Sequence, residues 1–110
     1  MQIQLEVEND ILMARIIGEI DLAVADGMKD LVDERLKKGK FRGLVLDLGG
    51  VSFIDSSGLG FILGRYNKIT SQGGKMYIVR PRPSISRILE MSGIKRLIPI
   101  YASENELPKE

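Results

Sequence analysis

Apolar and polar side chains alternate strictly over residues 2–8. This period of two predicts a half-buried β-strand, and its polar face indicates an exposed or edge position in a sheet. Asn9 and Asp10 supply a two-residue turn, so residues 11–17 form the second strand of a hairpin. We therefore expect the chain to open with an antiparallel strand pair.

Further along the chain, apolar side chains recur at helical spacing in three stretches: residues 22–38, 57–71 and 83–91. Asp21 is well placed as the N-cap of the first helix, and Pro83 fits the first turn of the third. Ser103 and Glu106 match a capping box, but Pro108 leaves room for little more than one turn. The sequence thus predicts three helices and a short C-terminal helical turn.

Short apolar runs typical of buried strands alternate with these helices: residues 44–48, 76–79 and 97–100. Because Pro99 lacks an N–H group, it confines the last run to a sheet edge. Right-handed crossovers make the first two runs parallel neighbours joined by the second helix. The prediction is an α/β fold in which residues 1–110 form one domain, with an N-terminal hairpin and a mixed sheet of four to five strands.

Composition removes several classes of chemistry. The 110 residues include no Cys and no His, which excludes disulfides, thiolate metal sites, Ser-His-Asp triads and imidazole catalysis by this chain alone. A net charge of +1 with no long Lys/Arg cluster argues against a nucleic-acid partner. Neither a secretion signal nor an apolar run of transmembrane length is present, so we expect a cytoplasmic protein that does not bind membranes.

The junction of residues 55–60 is the candidate site. A strand that enters a helix through Ser and Gly places N–H groups and side-chain oxygens at the positive helix end. Such junctions, at the carboxyl ends of strands, are where open α/β sheets usually bind their ligands. Ser57, next to Gly58, is predicted to cap the helix. Ser56 is then left over at the rim, where an ordinary loop serine is the alternative to a functional one.

The faces of the second helix follow from a turn of about 100° per residue. Its apolar stripe is predicted to face the sheet: Leu59, Ile62, Leu63, Tyr66 and Ile69. Gly60 and Gly64 share one flank, which fits either close packing inside the domain or the approach of a partner's backbone. Phe61 and Arg65 lie opposite the stripe and are expected in water, where an aromatic side chain indicates an interface.

Catalytic interpretations of the junction are weak. A nucleophile elbow needs Gly two residues before Ser56, where Ile54 stands, and no Lys follows the glycines as a phosphate-binding loop requires. Nothing in the sequence places Asp21, Asp47 and Asp55 in one cleft as a carboxylate pair would need. We expect no enzyme activity, no cofactor and no metal site, although weak nucleotide binding at the helix N-terminus stays open.

Residues 55–66 closely resemble the signature of bacterial anti-sigma factor antagonists, the STAS-domain family, and are most similar to sporulation antagonists of the SpoIIAA type. The likeness extends to residues 18–21, to residues 73–76 and to Arg87-x-x-x-Met91-Ser92-Gly93. It departs from the family at the apolar residues 22–24 and in a C-terminal helix that is almost missing. The resemblance implies the STAS fold.

The resemblance also implies a phosphorylation switch. The expected partners are an anti-sigma factor that is also a serine kinase (SpoIIAB type), which binds the unphosphorylated chain and brings ATP and Mg²⁺, and a metal-dependent serine phosphatase. Phosphorylation of Ser56 would abolish binding to the anti-sigma factor. The expected partner-binding residues are Asp21, Asp55, Ser56, Ser57, Gly58, Gly60, Phe61, Gly64 and Arg65. The alternative is a STAS scaffold module of a stress-signalling assembly.

Overall fold

Strands and helices alternate after the opening hairpin in the computed structural model, which describes residues 2–108. The elements are β1 (Gln2–Glu8), β2 (Ile11–Ile20), α1 (Leu22–Lys37), β3 (Gly43–Ile54), α2 (Ser56–Ser71), β4 (Lys75–Val79), α3 (Pro83–Met91), α4 (Ile94–Leu97), β5 (Ile100–Tyr101) and a 3-10 turn (Glu104–Glu106). This α/β order confirms the predicted succession of strands and adds one short helix.

The five strands form one mixed sheet in the order β1-β2-β3-β4-β5. β1 and β2 are antiparallel, and every other neighbouring pair is parallel. Leu44 lies opposite Met76 and Leu46 opposite Ile78, so the predicted parallel pair joined by the second helix is confirmed. β1 and β5 are the edge strands, as the polar face of β1 and Pro99 indicated.

The prediction for residues 97–100 is wrong in its bounds. Residues 94–97 form α4 instead, and its N-cap is Gly93, with a left-handed φ of 86°. The last strand is only Ile100–Tyr101, and the Pro99 carbonyl before it accepts a hydrogen bond from the Ile78 N–H at 3.0 Å. The expected capping box is absent as well, since the Ser103 side chain makes no capping hydrogen bond.

β3 is longer than predicted and carries the site. It continues to Ile54 because β2 continues to Ile20 beside it, through two register shifts in their pairing. β4 pairs with β3 only as far as Asp47 and Val79, so β2 and β3 extend past β4 at their carboxyl ends. The N-termini of α1 and α2 follow directly from these two extended strands.

The core is formed by alternate residues of the central strands and by the inner faces of α1 and α2. Leu12, Ala14 and Ile16 of β2 and Leu44 and Leu46 of β3 are almost fully buried in it. Side chains that alternate with these residues, such as Met13 and Arg15, belong to the opposite face of the sheet. Burial of this apolar surface is the main force that holds both helices against the sheet.

Candidate functional site

Asp55 connects the beginnings of both long helices. Its Oδ1 accepts hydrogen bonds from the N–H groups of Ser57 at 2.9 Å and Gly58 at 3.1 Å, which makes Asp55 the N-cap of α2. Its Oδ2 accepts from the Leu22 N–H at 3.3 Å, in the first turn of α1. Asp21 caps α1 through the Ala23 N–H at 3.1 Å. Asp21 and Asp55 therefore cap neighbouring helices at the same edge of the sheet.

The prediction that Ser57 caps the helix is wrong. α2 begins one residue earlier, at Ser56, and the Asp55 carboxylate caps it by accepting from the N–H groups of Ser57 and Gly58. Ser56 occupies the first helical position and is exposed, whereas Ser57 is half-buried. The two hydroxyls thus lie in different surroundings despite being neighbours in the chain.

The glycines of α2 fall into two kinds. A Cβ atom on Gly58 would lie 2.5 Å from both the Ile20 carbonyl oxygen and Ile54 Cγ1, so close packing inside the domain requires this glycine. A Cβ atom on Gly60 or on Gly64 would meet nothing within 4 Å. Internal packing, one of the two explanations considered for the bare flank, therefore does not account for Gly60 and Gly64.

Phe61 and Arg65 are buried, and the prediction that they face water is wrong. Each is only 4% exposed. The face opposite the sheet-facing stripe turns toward α1, because the two helices lie side by side and contact each other directly. The Arg65 guanidinium carbon lies 5.6 Å from the centre of the Phe61 ring, within the range of a cation–π contact.

Arg65 forms an incomplete ion pair across the two helices. Its Nε lies 2.9 Å from Asp33 Oδ1, but the angle is not that of a hydrogen bond. Its Nη1 is buried and has no hydrogen-bond partner within residues 2–108. Burial lowers the pKa of Arg65, and the carboxylates of Asp33 and Asp30 oppose this shift. A buried guanidinium with unused donors is costly unless another acceptor reaches it.

A groove of about 320 Å³ runs between the two helices, with Phe61 and Arg65 among its lining residues. Below we call it the α1–α2 groove. Its remaining lining residues are Leu22, Ala25, Asp26, Lys29, Ser57, Gly60 and Gly64. At its α1 end, Leu22 is 77% exposed, and Phe53 near the end of β3 is 48% exposed. Leu22 and Phe53 were not among the residues predicted for the site, although an apolar residue directly after the Asp21 cap was a usable signal.

Asp47, the third carboxylate considered for catalysis, belongs to a structural network. It is 1% exposed and accepts from Arg15 Nη1 at 2.7 Å, from Arg80 Nε at 3.0 Å and from the Gly49 N–H at 2.9 Å. Burial alone would raise its pKa, but the hydrogen bonds from Arg80, Gly49 and Arg15 outweigh it and lower the pKa. Within residues 2–108, no group of three acidic side chains is arranged to hold a metal ion.

Comparison with known proteins agrees with this architecture. The STAS domain model matches residues 2–107. The chain is 38% identical over 104 residues to an anti-sigma F factor antagonist of Paenibacillus polymyxa, covering 94% of this chain and 89% of that protein. It is 32% identical over 95 residues to the anti-sigma-B factor antagonist of Bacillus subtilis, covering 86% and 84% of the two chains.

Two solved structures of SpoIIAA, one of them described as a Bacillus cell fate determinant, have the same fold. The unphosphorylated form of this anti-sigma factor antagonist superimposes with a TM-score of 0.83 at 25% identity, over 96% of this chain and 91% of that one. The phosphorylated form gives a TM-score of 0.75, also at 25% identity, over 96% and 95% of the chains. No helix within residues 2–108 is long and apolar enough to cross a bilayer. By the match over residues 2–107, this chain belongs to the STAS-domain family.

Proposed function

We propose that this chain is an anti-sigma factor antagonist that acts in the cytoplasm and is switched by phosphorylation of Ser56. In its unphosphorylated form it binds an anti-sigma factor that is also a serine kinase, and so releases the sigma factor. A metal-dependent serine phosphatase restores the binding form. Relatives named as antagonists of anti-sigma F and anti-sigma-B factors support this proposal. The chain itself needs no catalytic residue, since the kinase and the phosphatase carry out the phosphoryl transfer.

One observation carries the choice of Ser56. It is exposed at the first position of α2, on the same edge as both helix caps, whereas Ser57 is half-buried in the α1–α2 groove. A kinase must bring the acceptor hydroxyl within reach of the γ-phosphate, which an exposed side chain permits. SpoIIAA, which shares this fold, has been solved in a phosphorylated form.

The proposed docking surface surrounds this serine. It keeps all the residues expected from the sequence and adds the exposed apolar side chains of Leu22 and Phe53 as anchors. Phe61 and Arg65 contribute from inside the α1–α2 groove rather than as protruding side chains. Gly58 contributes through its packing, which fixes the start of α2 against Ile20.

Phosphorylation would weaken binding without unfolding the domain. A phosphate adds a charge of about −1.5 to −2, which a helix N-terminus stabilises by roughly 0.3–1 kcal/mol. The N–H groups of Ser57 and Gly58 are already taken by Asp55, whose charge also repels the phosphate. The dianion is therefore left in water. Removing that water in an interface costs several kcal/mol by order of magnitude, enough to lower affinity many-fold.

The test is to incubate the protein with purified anti-sigma F factor and labelled ATP and then to map the phosphate. We expect label on Ser56, no label on Ser56→Ala, and full labelling of the neighbouring control Ser57→Ala. Ser56→Ala should bind the anti-sigma factor with or without ATP, and Ser56→Asp should fold but bind poorly. Phosphate found only on Ser57, or full binding by the Ser56 phosphoprotein, would contradict the proposal.

A further inference from the structure

The two edges of the sheet differ in how well they are protected against pairing with a further strand. β5 is only two residues long and follows Pro99, which has no N–H group to offer. β1 is seven residues long, pairs with β2 in one unbroken register, and contains no Lys, Pro or Gly. Short strands, bulges, lysine and proline are the features that keep sheet edges from pairing. β1 therefore offers its free edge to another strand.

The apolar residues of β1 fit a second copy of the same strand in one antiparallel register. Ile3, Leu5 and Val7 share the face of β1 on the helix side of the sheet, where Ile3 and Leu5 pack against the core. Val7 has less cover and is 47% exposed. When two β1 strands pair about a twofold axis at Leu5, Leu5 lies opposite Leu5, and Val7 lies opposite Ile3 of the second copy. This register thus covers the exposed apolar residue of the strand.

The polar residues of β1 favour the same register. It sets Gln4 opposite Glu6 of the second copy. It likewise sets Gln2 opposite Glu8, so each carboxylate meets an amide that can donate a hydrogen bond. A shift by two residues would instead place Glu6 opposite Glu6, where like charges repel. A shift by one residue would place apolar side chains opposite polar ones.

A second exposed apolar residue, Leu31 of α1, lies on the same side of the domain and is 51% exposed. Asp33 lies on the flank of α1 that faces α2, where it reaches Arg65, and a helix turns about 200° over two residues. Leu31 is therefore on the opposite flank. Because α1 contacts β2 whereas α2 contacts β3 and β4, this flank lies on the β1 side. Leu31 is about 15 Å along α1 from the Asp21 cap, which brings it near the middle of β1.

We propose that two copies of this chain form a dimer in which their β1 strands pair antiparallel about an axis at Leu5, joining the two sheets into one. Backbone hydrogen bonds along the free edge supply affinity, and the side-chain pairs fix the register. The two Leu31 side chains face each other across the axis, above the joined strands. A self-complementary contact of this kind closes after two copies. The proposal is independent of the proposed function, since the α1–α2 groove lies on the other flank of α1.

Sedimentation equilibrium of the full chain, from micromolar to millimolar concentration, tests the dimer. We expect a monomer–dimer equilibrium, and a monomer throughout this range would overturn the proposal. Gln4→Glu sets a carboxylate opposite Glu6 of the second copy, twice in each dimer, so the dissociation constant should rise about tenfold. Gln4→Lys sets an ammonium group there and should lower the constant by about the same factor. An edge lysine otherwise hinders strand pairing, so this direction is specific to the proposed register.

Leu31→Lys tests the helix contact separately, with Leu97→Lys as its matched control. Leu97 is 50% exposed, almost the same as Leu31, but it lies in α4, next to the opposite edge of the sheet. Leu31→Lys should weaken the dimer about tenfold, because two ammonium groups would face each other across the axis, whereas Leu97→Lys should leave the dissociation constant unchanged. Thermal melting checks that all four variants fold. Gln4 variants that shift the constant in the same direction, or Leu31→Lys without effect, would overturn the proposal.

Discussion

Asp47 and Arg65 are both buried charged residues, but only Asp47 has hydrogen-bond partners on both of its charged oxygens. Asp47, on the sheet face opposite α1 and α2, accepts hydrogen bonds from Arg15, Arg80 and the Gly49 N–H. Arg65, between α1 and α2, lies near one carboxylate at an angle that makes no hydrogen bond, and its Nη1 has no partner within residues 2–108. One network is complete within the domain and the other is not.

The two cases have opposite consequences for the stability of the domain. A buried charge whose hydrogen bonds are all made joins the elements that supply them, here β2, β3 and the segment after β4. A buried charge with unused donors lowers stability and joins no elements, unless another molecule supplies the acceptor. The incomplete network lies on the same side as the phosphorylation candidate, whereas the complete one lies beneath the C-terminal turn that reaches Arg15 through Glu104.

The largest effect is expected where the complete network is broken. Asp47→Asn should lower the free energy of unfolding by about 3 kcal/mol, near the lower end for removing one partner of a buried ion pair, because Arg80 is partly exposed. Urea unfolding at pH 7 measures this loss. The control is Glu104→Gln, which removes a more exposed carboxylate from the same Arg15 and should cost less than about 1 kcal/mol.

The pH dependence of this loss gives an independent check. Since the folded state lowers the pKa of Asp47, its contribution is present above the unfolded value of about 3.9 and disappears as the pH falls through the folded pKa. The difference between the wild type and Asp47→Asn should therefore be constant from about pH 5 to 8 and shrink below about pH 4. A difference that grew on acidification would rule out this role of Asp47.

Most strands and helices could be predicted because alternation and apolar runs are local features of the sequence. Alternation in residues 2–8 identified β1, and the apolar runs at residues 44–48 and 76–79 identified two central strands. The bounds of β3 and the position of β5 depend on pairing with neighbouring strands, and the periodicity of the sequence carries no information on that pairing. Residue 97 was assigned to a strand on hydrophobicity alone, but it is the last residue of α4.

The candidate site was predicted less well than the fold, for a related reason. A helical wheel sorts the faces of α2 relative to one neighbour, the sheet, and so Phe61 and Arg65 were expected in water. The second neighbour, α1, covers that face and comes from a distant part of the chain. Likewise, Ser57 was predicted as the cap where Asp55 is found, because helical periodicity does not fix the start of the first turn to within one or two residues.

Asp55, in contrast to Asp47, is a carboxylate whose partners are N–H groups rather than cations. Asp55→Ala should cost about 1–2 kcal/mol, because it removes the cap of α2 and the hydrogen bond to the Leu22 N–H. Ser57→Ala should cost less than about 0.5 kcal/mol, since its side chain is not the cap. Thermal melting of both variants measures the contrast. Equal losses would return the capping role to Ser57.

The smallest change in stability is expected when the incomplete network is replaced altogether. Buried ion pairs exchanged for apolar residues of similar volume often leave stability unchanged, because the cost of burying the charges is removed with their attraction. Asp33→Leu combined with Arg65→Met should therefore unfold within about 1 kcal/mol of the wild type, while Arg65→Met alone should be less stable because Asp33 loses its cation. Urea unfolding of the double variant, compared with the wild type, measures this. If it were instead as unstable as Asp47→Asn, the pair between α1 and α2 would be a structural network like that of Asp47, and the distinction between the two would fail.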